Sequence, residues 1–139
     1  MPLKSTYYAL FSIIWIANMS FAQTFMVWNN GQDIHINEGI QFVVKDGNFV
    51  NNSGHLHNNG RLTIYGDFIL NDSVESTNLL AVQPQYQVLG TWDNNSSFIA
   101  GNSRTNLFGG NQQITGSEVT SYYDLDLTGS GVKELNGVD

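Results

Sequence analysis

The sequence predicts an all-β protein, a right-handed parallel β-helix (β-solenoid) with rungs of about 20 residues. Three observations carry this. Two stretches read as copies of one unit: Gly39-Ile40-Gln41-Phe42-Val43-Val44-Lys45-Asp46-Gly47-Asn48-Phe49-Val50-Asn51 and Gly60-Arg61-Leu62-Thr63-Ile64-Tyr65-Gly66-Asp67-Phe68-Ile69-Leu70-Asn71. Each opens on Gly, alternates apolar residues, turns at Gly-(Asn/Asp)-Phe and closes on Asn. The offsets are 21 for Gly39/Gly60, 19 for Gly47/Gly66 and 20 for Asn51/Asn71. The alternation has the two-residue period of strands rather than the helical one. Only 12% of the 139 residues are charged and 12% are aromatic, with 14 glycines and two prolines. Such a composition suits short strands separated by turns and is far from that of a disordered chain. An antiparallel β-sandwich is the alternative that short strands with turn signals also allow.

Taken in order, residues 1–22 read as a secretory signal peptide. Lys4 gives the basic start, residues 7–16 the apolar stretch, and Ser20-Phe21-Ala22 a small-residue cleavage site. The apolar run is short and interrupted by Ser12 and Asn18, which disfavours a membrane span. Residues 23–139 then form the β-solenoid domain. Phe25, Val27, Ile34 and Ile36 flank an Asn29-Asn30-Gly31 turn and read as an entry rung. Ile40, Phe42 and Val44 are expected to face inward, as are Leu62 and Ile64; Thr63 and Tyr65 are expected outside. Phe49 and Phe68 recur in register, so aromatic should stack on aromatic. Asn51, Asn52, Asn58, Asn59 and Asn71 are expected at corners, where amide side chains can form ladders.

Residues 72–78 are polar and read as a loop projecting from the stack. Leu79-Leu80-Ala81-Val82 resumes an apolar run that ends at Gln83-Pro84-Gln85. Pro84 lacks a ladder donor and belongs at an edge or turn. From Val88 the rung pattern returns, with Gly90 and Gly110 again 20 apart. Tyr123, Leu125 and Leu127 alternate with Asp124, Asp126 and Thr128, and residues 132–135 begin another strand. About five or six rungs are expected in all. The pattern reaches Asp139 without a polar cap, and an open rung is an exposed strand edge. The domain therefore reads as truncated at its C-terminal end, or as one that associates end to end.

Residues 90–135 carry a resemblance to a known group. The blocks Gly90-Thr91-Trp92, Asn95, Phe108-Gly109-Gly110-Asn111-Gln112-Gln113-Ile114-Thr115-Gly116, Tyr123-Asp124-Leu125-Asp126-Leu127 and Leu135 resemble a repeat of large secreted surface proteins of Bacteroidota. Gly66-Asp67-Phe68-Ile69-Leu70-Asn71 is similar to the first part of that repeat. The resemblance implies an extracellular, adhesin-like β-solenoid, of a kind often exported by the type IX route. It implies no catalytic residues.

The formal net charge is −7, and loss of Lys4 with the signal peptide would leave four basic and twelve acidic residues, or −8. Nucleic-acid binding needs a basic footprint, which is lacking. Absence of Cys removes disulfide and thiolate chemistry. His55 and His57 share one strand face and would need His35 or Asp67 to complete a metal site; the plainer reading is polar residues beside a turn. Asp33, Asp46, Asp67, Asp72 and Asp93 lie near turns, but fit neither calcium-repeat nor EF-hand spacing. Asp124 and Asp126 share a face, as paired carboxylates of an enzyme would, and as ordinary solvated residues do. Tyr65, Trp92, Tyr122, Asp124 and Asp126 form the candidate ligand face; for the three aromatics the plainer reading is packing into the core or over a rung end. The expected function is a non-catalytic structural or adhesin-like segment at the bacterial cell surface. The alternative is a carbohydrate-binding or polysaccharide-active β-helix. Its expected partner is an extracellular polysaccharide or cell-surface molecule, with no nucleic acid, no membrane insertion after signal cleavage, no cofactor and no metal.

Overall fold

The computed structural model describes residues 25–77 and 82–136. The signal-peptide reading and the run Leu79-Leu80-Ala81 lie outside these. Among the described residues there are fifteen strands and no helix. In chain order they are β1 (Phe25–Asn30), β2 (Ile34–Ile36), β3 (Gln41–Val44), β4 (Gly47–Ser53), β5 (Leu56–Asn58), β6 (Arg61–Ile64), β7 (Phe68–Leu70), β8 (Val74–Glu75), β9 (Gln85–Val88), β10 (Trp92–Asn94), β11 (Phe98–Ile99), β12 (Arg104–Leu107), β13 (Gln112–Thr115), β14 (Asp124–Leu127) and β15 (Lys133–Leu135).

Strands taken in threes trace one turn of a coil, and each pairs with its equivalents one turn away. Three sheets result: sheet 1 (β1-β4-β7-β10-β13-β15), sheet 2 (β2-β5-β8-β11) and sheet 3 (β3-β6-β9-β12-β14). All of these pairings are parallel. The fold is thus the predicted β-solenoid of about five turns, and not the antiparallel alternative, because a coiled chain always returns in the same direction.

The core is a set of vertical columns. On sheet 1, Val27, Phe49, Phe68, Trp92, Ile114 and Leu135 lie in register. Phe49, Phe68 and Trp92 are fully buried, and their rings meet edge to face at 5.7 and 5.1 Å. Tyr86 from sheet 3 and Phe98 from sheet 2 close around Trp92 at 5.9 and 5.0 Å. The Tyr86 hydroxyl is satisfied by Ser76 Oγ at 2.8 Å, and Ser76 Oγ in turn donates to the Asn58 carbonyl at 2.6 Å. Leu62, Ile64, Val88 and Leu107 complete the sheet 3 side.

The corners use amides. Asn29 donates to Asn51 Oδ1 at 2.7 Å, Asn52 to Asn30 at 3.1 Å and Asn95 to Asn71 at 3.2 Å, as a ladder requires. Asn58 and Asn59 instead bond backbone one turn on, at the Gln85 carbonyl and the Thr77 N–H. One buried column reads Asn29, Asn51, Leu70, Asn94, so an aliphatic side chain interrupts the amides. Rungs also approach closely where Gly47, Gly66 and Gly90 stack. A Cβ on Gly66 would lie 2.3 Å from the Gly47 carbonyl oxygen.

Several expectations are corrected. Residues 72–77 do not project: Val74 is fully buried between Leu56 and Phe98 in sheet 2. A two-residue strand is too short for alternation to reveal it. Gly39 is not the partner of Gly60; the sheet 3 register puts Ile40 there. Asn51 faces Leu70, with Asn71 one step further on. Gly90 and Gly110 are not equivalent, since Trp92 aligns with Ile114. Thr63 faces out as expected but is covered, its Oγ1 donating to Gln87 at 3.2 Å. Ile40 is exposed rather than inward: it precedes β3 at the corner, and its neighbour in the next rung is Gly60, which has no side chain to cover it.

Phe68 and Trp92 sit at the centre of the aromatic column, so Phe68→Ala and Trp92→Ala should each cost about 3–5 kcal/mol in urea unfolding. Leu127→Ala removes a residue that is 52% exposed at the last sheet 3 strand and should cost roughly 0.5 kcal/mol or less.

Candidate functional site

The outer side of sheet 3 presents three parallel columns of side chains, because alternate residues of each strand point outward and equivalent residues stack. The first column is Gln41, Arg61, Gln85, Arg104 and Asp124; the second is Val43, Thr63, Gln87, Asn106 and Asp126. The third follows the strand ends at the corner with sheet 1. There Tyr65 N–H donates to the Val44 carbonyl and Phe108 N–H to that of Val88, and the Tyr65 and Phe108 rings meet edge to face at 5.9 Å beside the exposed Leu89.

Hydrogen bonds tie the columns together. Arg61 Nε donates to Gln85 Oε1 at 2.9 Å, and Gln87 Nε2 reaches the same oxygen at 3.4 Å. Arg104 Nε lies 3.4 Å from Asp126 Oδ2. Gln83 Nε2 donates to Asp124 Oδ2 at 2.6 Å. Two hollows share Gln85. One of about 220 Å³ lies over Gly39, Gln41, Arg61, Val82 and Gln83. The other, about 140 Å³, lies over Gln87, Arg104, Asn106 and Asp126. They lie on either side of Gln85, toward Arg61 and toward Arg104.

Of the five residues expected on a ligand face, the structure brings three to this side: Tyr65, Asp124 and Asp126. Trp92 is a core residue, fully buried, since its place on sheet 1 is the inward column of Phe68. Tyr122 is partly buried, packed on Trp92 at 5.4 Å. No single groove therefore gathers Trp92 and Tyr122 with the two aspartates. Arg61, Gln85 and Arg104 were not singled out by the sequence reading. Their separations are 24 and 19 residues, so no fixed period exposes the column; only the sheet register does.

The other candidate groups have structural places. His35 and His57 stack flat on sheet 2, ring centres 4.4 Å apart and planes 1° from parallel. His57 Nδ1 meets Glu75 Oε1 at 2.6 Å, and His55 Nδ1 bonds Ser73 Oγ. Among the described residues no three His, Cys, Asp or Glu side chains are grouped to hold a metal ion. Three of the turn aspartates cap backbone. Asp67 accepts from Thr91 N–H at 2.7 Å, and Asp33 from His55 N–H at 3.2 Å. Asp72 accepts from Ser73 and Gly54 N–H at 2.7 and 2.8 Å, and these two bonds hold its carboxyl below its ordinary value. Asp93 accepts from Thr115 Oγ1 at 3.1 Å. Comparison with family models, curated proteins and solved structures finds no match.

Burial raises the Tyr86 and Tyr122 phenols above their ordinary 10.0. Above that pH the unfolded chain releases these protons while the folded protein keeps them, so stability is whole below pH 10.0 and falls as pH rises past it. Urea unfolding between neutral and strongly alkaline pH should show this decline. Tyr86→Phe should make it shallower, by about 1.4 kcal/mol per pH unit for one such group.

Proposed function

We propose that this chain is a non-catalytic, structural or adhesin-like β-solenoid segment of a bacterial surface protein, acting outside the cell. The observation that carries the reading is the regular stack. Every strand pairing among the described residues is parallel and joins strands one turn apart, and the sheet 1 column from Val27 through Phe49, Phe68, Trp92 and Ile114 to Leu135 runs through all its rungs. A stack of repeated rungs fits a structural segment that presents a surface through repeated contacts.

The residues 1–22 read as an export signal, and the acidic, cysteine-free composition suits an extracellular role that does not rest on disulfides. The repeat-like blocks of residues 90–135 support the adhesin-like assignment. Carbohydrate binding is a second reading, favoured by the two hollows on sheet 3, and the same stack can carry it.

Intact-mass measurement of the protein recovered from the cell surface and the medium tests the proposal. The expected result is a species at the cell surface or in the medium that begins near Gln23. Recovery from the cytosol with residues 1–22 still attached would overturn it.

A further inference from the structure

We propose that the outer face of sheet 3, with its corner to sheet 1, binds an uncharged linear oligosaccharide lying along the coil. Tyr65 packs on a sugar ring, and Gln87, Arg104 and Asn106 hold its hydroxyls. This rests on the second reading above and gives it a ligand class and a site.

Charge decides against an ionic ligand. Arg61, Arg104, Asp124 and Asp126 stand in the first two columns of this face, so their formal charges cancel. Arg104 Nε lies 3.4 Å from Asp126 Oδ2, and Arg104 is in register with Asp124. A polyanion meets the aspartates and a polycation the arginines, so neither is drawn to the face as a whole. A hydroxyl is indifferent to this mixture, because it accepts from a guanidinium and donates to a carboxylate.

The layout is two-sided, as a pyranose is. Backbone bonds from rung to rung place Tyr65, Leu89, Phe108 and Thr128 in the corner column. Tyr65 is 45% exposed, Leu89 is exposed beside it, and the Phe108 ring braces Tyr65 edge to face at 5.9 Å. Two residues back along the same rungs stand Thr63, Gln87 and Asn106, about 6–7 Å away. An apolar ridge and a polar row therefore run side by side up the coil. A pyranose has a face of C–H groups and a rim of hydroxyls. A chain of them laid along the coil sets the first on the ridge and the second on the row.

Bonds within the row orient its donors. Thr63 is covered, and its Oγ1 donates to Gln87 Oε1 at 3.2 Å, while Gln87 Nε2 turns to Gln85 Oε1 at 3.4 Å. Thr128 Oγ1 donates to Asn106 Oδ1 at 2.7 Å. Among the described residues these bonds leave to a ligand a second N–H on Gln87, the amide N–H groups of Asn106 and the terminal N–H groups of Arg104. The hollow of about 140 Å³ over Gln87, Arg104, Asn106 and Asp126 lies where these groups meet.

Calorimetric titration of the purified protein with cello-, xylo-, manno- and laminari-oligosaccharides of equal length tests this, with an oligogalacturonate as the charged comparison. At least one neutral oligosaccharide should bind more tightly than the oligogalacturonate, with an affinity that added salt leaves unchanged. Tyr65→Ala should weaken that binding roughly tenfold, and Asn106→Ala roughly threefold to tenfold. Trp28→Ala removes a 52% exposed aromatic on sheet 1 and should bind as the parent protein does. Failure of every neutral oligosaccharide to bind, tighter binding of the oligogalacturonate, or undiminished binding by Tyr65→Ala would overturn the proposal. Loss of binding in Trp28→Ala alone would also overturn it, by moving the site to sheet 1. Any of these with the protein found at the cell surface or in the medium leaves the structural proposal standing. A cytosolic protein that keeps residues 1–22 overturns the structural proposal whatever the sugar does.

Discussion

The structure depends on hydrogen bonding between successive turns of one coil. Each inner strand of a sheet is paired with the strands one turn before and after it, and all the pairings are parallel. A residue's surroundings are therefore set by the residues at the same place in the neighbouring rungs. Burial, amide satisfaction and surface chemistry all become properties of columns. Trp92 is buried because Phe68 is beneath it, and Tyr86 because Leu62 is. The same rule holds outside the core, where Arg61 and Arg104 line up because Gln85 keeps the register between them.

Turn length is free to vary within that constraint. From Phe49 to Phe68 a turn takes 19 residues, and from Phe68 to Trp92 it takes 24. The difference is absorbed at corners, where backbone is not paired in a sheet and where Asn, Asp and Gly satisfy or relieve it. Asn48 Oδ1 accepts from Asp67 N–H at 2.8 Å, and Asp67 Oδ1 accepts from Thr91 N–H at 2.7 Å. A side chain on one rung thus closes the turn of the next, and extra residues between such points do not disturb the sheets.

This explains what could be read from the sequence. The strand period, the in-register Phe49 and Phe68 and the amide corners were legible because they lie within two turns of nearly equal length. The fold class followed from them. Register to the residue was not legible: Gly39 and Gly60 look equivalent as letters yet differ by one step, since the corner between strands, not the strand, carries the offset. Whether Trp92 belonged to the core or to a ligand face was not legible for the same reason. Its partner Phe68 is 24 residues away, outside the period that the first two rungs suggest. Tyr65, Asp124 and Asp126 were placed correctly because strand alternation alone sends them outward. The Arg61–Gln85–Arg104 column needed two unequal turn lengths to be known.

The column Asn29, Asn51, Leu70, Asn94 has a consequence for how the chain finds its fold. A coil of similar rungs can misalign by a whole turn and still bury a plausible core, a phase error that hydrophobic columns alone punish weakly. Asn29 and Asn51 bond each other, whereas Leu70 offers an amide nothing. A slip of one turn in the early rungs would set Asn29 beside Leu70 and leave its amide buried without that partner, at a cost of about 1–3 kcal/mol. A single buried polar residue can fix register in this way in coiled coils. The irregular column numbers the turns, so that the first rung and the third cannot change places.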